Sequence, residues 1–529
     1  MMRGRIMDGS SDPRHEGTAN GFTKDTGQMR LEELGYKQEL KRDLSMVSNF
    51  AFSFAIISIM TGVTTLYNTG LTYGGTISMV YGWLLAGFFN CFVALSMGEI
   101  CSAFPTSGGL YYWSYALSGP KWGPFASWMT GWFNLVGQWA VTTSVDFSLA
   151  QLLQVIILLS TGGGNGGGYS ASNYVVVGIH GGILLVHALI NSASIKWVAY
   201  LGTLAVFWNL FGVFVLMILI PLVATERASS AFVFTSFYKA DGEGIHSYPY
   251  IFSVGLLMAQ YSISGYDASA HMSEETKSSD KNGAYGLVGS VVISIIAGWG
   301  YIVGITYAVV DPAHLLDVTN DAGGYAIAQV FYGVFKGRYG HGVGGIVCLC
   351  VVAGAIFLCG MSCVTSNSRM VYAFSRDGAM PLSNIWHIVD KRDVPLPAVW
   401  LSAFVAFCMA LTYLGSVVAF TAMVSIATIG LYISYALPIL FRITVGHKNF
   451  VPGPFNLGRF SRLIGTVAVL WVTTITVLFC LPVTYPITSQ TLNYTPVLVG
   501  GVFILSFGGW VLSARKWFVG PVSNMDDKP

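Results

Sequence analysis

Residues 53–68, SFAIISIMTGVTTLYN, and residues 256–276, LLMAQYSISGYDASAHMSEET, are apolar segments that weaken near their middle. The first sets Thr61 and Gly62 among further Ser and Thr; the second sets Ser262, Ser264 and Gly265 just ahead of Asp267. Such residues are weak helix formers. A backbone that leaves the helix at membrane depth survives only where protein or a cavity satisfies its N–H and C=O groups, since hydrocarbon offers them no partner. Two interruptions at matching places in two halves of a chain therefore point to a ligand site between them. The competing explanation is packing, because small residues also let membrane helices approach closely.

The rest of the chain is written for lipid. Of its 529 residues, 53% are apolar and 10% are Asp, Glu, Lys or Arg, against about 25% charge in a soluble domain. So few charges cannot coat a water-facing surface of this size, and a net charge of +2 implies no nucleic-acid partner. A span needs about 20 apolar residues, and charge-free runs of that size follow one another. Residues 44–98 hold two, split at 68–75; residues 147–195 hold the end of a third and, after TGGGNGGGYSASN, a fourth. Residues 197–225, 244–266, 282–310 and 339–368 hold one each, 394–441 hold two, and 463–483 and 494–514 complete the set. The expectation is an all-α integral membrane protein of 12 transmembrane helices.

With the N-terminus placed inside, 23 of the 27 Lys and Arg fall in inner segments, and Arg227, Lys239, Lys336 and Arg338 in outer loops. This asymmetry predicts that both termini are cytosolic. The layout is a cytosolic tail over 1–45, a membrane domain over 46–516 and a second cytosolic tail over 517–529. Within the membrane domain, one group of helices covers about 46–225, another about 244–442, and two more helices 463–514. The first 45 residues are polar and of mixed charge, unlike a cleavable signal peptide; Arg3, Arg5 and Arg14 faintly resemble a mitochondrial presequence, but Asp8, Asp12 and Glu16 are interleaved, and the host membrane (plasma, Golgi or other endomembrane, mitochondrial) stays open. The sequon at Asn493, Tyr494 and Thr495 falls outside. The cysteines (Cys91, Cys101, Cys348, Cys350, Cys359, Cys363, Cys408 and Cys480) sit in or beside apolar segments, as small buried hydrophobes do, not as a disulfide framework or a zinc site.

The interrupted segments are the first helices of two successive groups of five. An odd number of spans flips the second group relative to the first, which gives an inverted repeat followed by two helices. Broken helices expose N–H groups at one end and carbonyls at another, so one break suits a carboxylate and the other an ammonium. An amino acid presents both charges close together.

Further motifs carry a resemblance. SRMVYAFSRDGAMP (368–381) with VPLPAVW (394–400), GEICSAFPTSGGLYYWSYALSGPKWG (98–123) and ELGYKQELKRDLS (33–45) are similar to the amino-acid, polyamine and organocation permease superfamily. SGYDASAHMSEET most resembles its eukaryotic branch of amino-acid, GABA and choline permeases, and the likeness covers roughly residues 33–516. It implies the leucine-transporter type of fold, two inverted five-helix repeats plus two helices, and alternating access around a site between spans 1, 3, 6 and 8. It further implies that the backbone of Thr61, Gly62, Val63 and Thr64 receives a substrate carboxylate, and that carbonyls around Tyr261, Ser262 and Ser264 receive the amine. The function implied is secondary active transport of amino acids, GABA among them, with no cofactor. A choline or organocation permease is the alternative and a channel a more distant one; choline would lean on aromatic faces such as Tyr261, Tyr266, Phe207, Trp208 and Trp139.

Charges at membrane depth are costly and therefore informative. Asp267 suits a substrate ammonium, a coupling ion or a helix cap. Asp146 in span 3 is read either as facing the outer vestibule or as a polar anchor, and Glu99 as an interfacial charge. Arg369 and Arg376 fit a cytosolic gate or the inside rule. Ser362, Thr365 and Ser366 in span 8 offer hydroxyls for a sodium site, although such hydroxyls also bond back to their own helix. No Lys or Arg lies between Trp197 and Thr225, so span 5 has no lysine to stand in for sodium; the coupling ion, H+ or Na+, stays open. An intramembrane protease would need a second buried Asp in a GxGD setting or an HExxH or GxSxG motif, and none follows.

Overall fold

The computed structural model describes residues 25–239 and 244–522. Arg3, Arg5, Arg14, the acidic residues among them and Lys528 lie outside these. The first group of helices comprises α1 (Thr26–Glu33), α2 (Met46–Ile57), α3 (Ile59–Thr72), α4 (Gly75–Ala103), α5 (Leu110–Ser118), α6 (Gly123–Ser160), α7 (Asn173–Asn191) and α8 (Ile195–Val223). Short α9 (Ser230–Thr235) leads to α10 (Tyr248–Ser262), α11 (Ala268–His271), α12 (Ser279–Thr306), α13 (Pro312–Leu316), α14 (Ala326–Tyr339) and α15 (Val343–Arg376). Then come α16 (Ser383–Trp386), α17 (Leu396–Ala410), α18 (Thr412–Gly415), α19 (Val417–Ile443), α20 (Ser461–Phe479) and α21 (Thr495–Leu512). The strands among the described residues, β1 (Tyr73–Gly74) and β2 (Tyr238–Lys239), form one antiparallel pair.

With α2 and α3 taken together, 11 helices among the described residues are long and apolar enough to cross a membrane, against the 12 expected. The difference lies at residues 244–266: the segment read there as a span is α10, 15 residues long, followed by a non-helical stretch and the four-residue α11. This is a multi-pass membrane protein whose helices differ in how much neighbours cover them. In α6, 72% of the most apolar window is buried inside the protein, whereas α21 buries 11% of its window and turns Ile504, Leu505 and Leu512 outward.

Both described ends of the chain lie on one face, termed here the terminal face. Leu44 exchanges backbone hydrogen bonds with Glu275 and Lys277, Arg42 donates to the Thr276 carbonyl, and the Val522 N–H donates to Asp377. Glu99 departs from the expectation of an interfacial charge. It is buried and accepts from the Leu457 N–H at 3.1 Å and from Ser461 Oγ, with Arg442 at 3.7 Å, so it fastens α4 to the start of α20. All eight cysteines are free, but only Cys101, Cys348, Cys359 and Cys363 are buried; Cys350 and Cys408 are exposed on outward faces, where a thiol is apolar enough for lipid.

Candidate functional site

Both interrupted spans break. In span 1 the break falls at Ser58, three residues before Thr61, with φ 22° and ψ 90°. Thr61, Gly62, Val63 and Thr64 occupy the first turns of α3, where the Gly62 N–H already bonds the Ser58 carbonyl. The hydroxyls of Ser58 and Thr61 meet at 2.6 Å, and Asn209 of α8 donates to Ser58 Oγ at 2.7 Å. Gly62 therefore serves close approach and not an unusual dihedral angle: a Cβ there would stand 2.6 Å from Cα of Ser262 and 2.4 Å from its Oγ. In span 6 the helix ends at Ser262 and resumes at Ala268, and Gly265 takes φ +84°, a conformation for which glycine is suited. A Cβ on Gly265 would stand 2.3 Å from Cγ2 of Ile56. Each glycine thus meets the other broken helix, and the two spans cross through both.

Asp267 sits beside this crossing, fully buried. Its Oδ1 accepts from Tyr435 Oη at 2.7 Å; its Oδ2 accepts from Asn134 Nδ2 at 3.0 Å and Gln138 Nε2 at 2.8 Å, and lies 3.2 Å from His271 Nε2. The partners come from α6, α11 and α19, so span 10 joins the expected neighbours. The same Tyr435 hydroxyl accepts the Gly265 N–H at 3.1 Å, and Tyr432 donates to the Ile263 carbonyl and to Asn90 Oδ1. Of the carbonyls expected to receive an amine, that of Tyr261 accepts from Ser264 Oγ at 2.6 Å; further along the break, that of Tyr266 accepts from Ser53 Oγ at 2.7 Å. Tyr261 Oη meets Ser144 of α6 at 2.7 Å.

In span 8, Ser362 donates to the Leu358 carbonyl at 3.0 Å, and Thr365 to the Met361 carbonyl and to Asn191 Oδ1. The Ser366 hydroxyl is buried without a partner. Asp146 does not face a vestibule: it is fully buried and pairs with His187 of α7. Phe207 and Trp208, two of the aromatics considered for a choline cage, face outward at 67% and 39% exposure.

The two faces of the protein differ around this centre. On the terminal face Arg369 meets Glu275 at 2.8 Å and Arg376 meets Glu274 at 3.1 Å, so buried ion pairs tie α15 to the segment after α11. Tyr36 lies under the Arg376 guanidinium, 4.5 Å from it, and Tyr372 donates to Glu39, which lays the segment before α2 over those ion pairs. On the opposite, far face a cavity of about 330 Å³ opens between Thr69, Tyr73, Leu257, Ser425, Phe479 and Asn493. It lies beyond the crossing along α3 and α10.

Multiple apolar spans closed around a buried polar centre, with two of them broken where they cross, define a polytopic membrane permease as a class. The model of a family described as "Amino acid permease" matches residues 44–503. Amino-acid permease BAT1 homolog of Oryza sativa subsp. japonica is 68% identical over 502 residues, 95% of this chain and 96% of that protein. Amino-acid permease BAT1 of Arabidopsis thaliana is 67% identical over 501 residues, 95% of this chain and 97% of that one. The GABA-specific permease of Saccharomyces cerevisiae is 30% identical over 504 residues, 94% of this chain and 86% of that one. The chain belongs to the amino acid permease family.

Asn134, Gln138, His271, Tyr432 and Tyr435 were not singled out by the sequence. Asn134 and Gln138 do carry a signal, since they are two amides four residues apart in a membrane helix and so share a face.

Proposed function

We propose that this protein is a secondary active carrier of amino acids, GABA among them, working by alternating access around the crossing of its two broken spans. The supporting observation is the pair of glycine contacts, Gly62 on Ser262 and Gly265 on Ile56, set against a buried Asp267. Free N–H groups at the start of α3, followed by Thr61, Gly62, Val63 and Thr64, suit a carboxylate. The carbonyls at the end of α10 and through the break, at Tyr261, Ser262, Ser264, Gly265 and Tyr266, each with a second lone pair beyond any bond already made, suit an ammonium together with Asp267. The carboxylate of Asp267, held by the donors Asn134, Gln138 and Tyr435, offers the amine a counter-charge. In this reading α10 and α11 are the two halves of the sixth of 12 crossings, the spans fall into two inverted groups of five plus two helices, and both termini are cytosolic. The ion pairs of Arg369 and Arg376 then close the cytosolic side, and the far-face cavity is the outer approach.

The experiment is uptake of labelled Ala, Glu, Lys, GABA and choline into liposomes carrying the purified protein, with and without sodium and a pH gradient. Saturable counterflow of one or more amino acids is the expected result. Uptake of choline alone would overturn the carboxylate assignment, and ion current without saturation would replace the carrier by a channel.

A further inference from the structure

Asp146 is the one charged residue in the 38 of α6. It and His187 of α7 are fully buried and meet at 3.1 Å between Oδ2 and Nδ1. Both are left half-finished, for Asp146 Oδ1 and His187 Nε2 have no hydrogen-bond partner. Leaving a buried polar atom open is costly, and an ionisable group inside a membrane protein is by default a candidate for function. The space for them comes from α15. A Cβ on Gly360 would stand 1.8 Å from Asp146 Oδ1 and 2.8 Å from His187 Cε1, and Phe357 packs on the imidazole with ring centres 4.5 Å apart.

One residue before Gly360, Cys359 Sγ donates to the Ile56 carbonyl at 3.4 Å, at the lip of the break in span 1. The same turn of α15 therefore touches the buried pair on one side and the crossing on the other. The other titratable groups facing the pair are His180 on α7 and Cys359 and Cys363 on α15, with Tyr413 of α18 beyond Phe147; Cys363 is within electrostatic reach of both Asp146 and Asp267. Helices α3, α17, α18 and α21 bring no Asp, Glu, Lys or Arg, and the charges of α8, α15 and α19 (Lys196, Arg369, Arg376, Arg442) lie toward the terminal face.

We propose that Asp146 and His187 form a proton-binding site through which a proton gradient drives the solute, a role that rests on the carrier reading above. With Nδ1–H donated to Asp146, the neutral imidazole keeps a free lone pair on Nε2. One proton adds there from hydronium: an O–H bond of hydronium breaks, an N–H bond forms, water is released, and the pair goes from net charge −1 to neutral. A lone carboxylate is expensive in this low-dielectric interior and a neutral ion pair much less so. Occupancy by the proton therefore resets the packing under Gly360 and, through Cys359, the break beside Ser58.

The test uses the full-length protein in liposomes loaded with a pH dye, with labelled GABA or alanine outside. The wild type is expected to admit protons together with the solute. In H187Q and D146N, gradient-driven accumulation falls by about tenfold and solute-dependent proton entry disappears, while exchange at equal pH stays within about twofold. Loss of packing alone would lower exchange as well. Should D146N fail to fold, H187Q, which keeps a polar side chain on α7, decides the matter. Solute-dependent proton entry that persists in H187Q overturns the assignment, and so does wild-type uptake that moves no protons. If the wild type shows no counterflow of any amino acid, the carrier reading falls, and this site falls with it.

Discussion

At Asp267 the chemistry of a single residue is fully specified by its surroundings. Asn134, Gln138 and Tyr435 each present a hydrogen to the carboxylate, so Asp267→Asn would turn an N–H toward donors. Transport by D267N is expected to fall by more than about tenfold without loss of the protein from the membrane, as measured by uptake against surface amount. Gly62 gives a stereochemical test. Gly62→Ala places a methyl group against the backbone of Ser262 and is expected to cost about 1–3 kcal/mol through overpacking. S262G should not rescue it, because Cα itself is in the way. The sequon makes a third case. Asn493 Nδ2 donates to the carbonyls of Phe479 at 2.8 Å and Leu481 at 2.9 Å, so its amide is engaged in the fold, and glycosidase treatment is expected to leave electrophoretic mobility unchanged.

Asp377, at the terminal-face end of α15, is pushed up to about 6 by burial, against the opposing pull of Arg376 and the Tyr111 hydroxyl. A raised carboxyl binds its proton more tightly when folded than when unfolded. Its contribution to stability is therefore greatest in acid and is lost as pH rises through about 6. Thermal unfolding between pH 4 and 7.5 is expected to show this slope in the wild type, and D377N should flatten it.

Among the elements, the broken spans associate half by half. On the terminal side, α2 is bound to α11 and its neighbours by polar contacts: Asn49 donates to the Ser269 carbonyl and to Thr276 Oγ1, and Ser53 Oγ bonds both the Tyr266 carbonyl and Ser269. On the far side, α3 lies against α10 through small residues, at Gly62 on Ser262 and at Gly70 beside Met258. The buried ion pairs extend the terminal-side unit to α15. Glu275→Gln leaves Arg369 buried without its counter-charge and is expected to destabilise the protein by about 3–5 kcal/mol, read as a lowered unfolding temperature in detergent. The swapped pair E275R with R369E should recover part of it.

On the scale of the whole molecule, most of the architecture was legible from where charge is missing, because lipid admits few charges and the gaps between them bound the spans. The place of the interruption in span 6 was legible too, from Gly265 and the residues around it. The exact break in span 1 was not. Gly62 reads as a hinge, yet it acts by letting Ser262 in, and the chain bends instead at Ser58, where nothing but a short hydroxyl side chain marks the spot. Asn134, Gln138 and Tyr435 were hidden for a related reason. The spacing of Asn134 and Gln138 puts them on one face, but α6 carries other polar residues too, and which face meets Asp267 depends on helix rotation that one dimension does not record. With both termini cytosolic, as proposed, epitope tags at both ends are expected to be reached by antibody only after permeabilisation.

The half-by-half association has a kinematic consequence. If α2 travels with α11 and α3 with α10, as the alternating-access proposal requires, the four half-helices act as two paddles whose covalent joints are Ser58 and the stretch around Gly265. A passage open to both sides at once would require both paddles to swing out together, pulling the crossing apart where bare backbone now touches. A seesaw of this kind tips one way or the other far more readily than it comes off its pivot, and that is what would keep such a membrane from leaking.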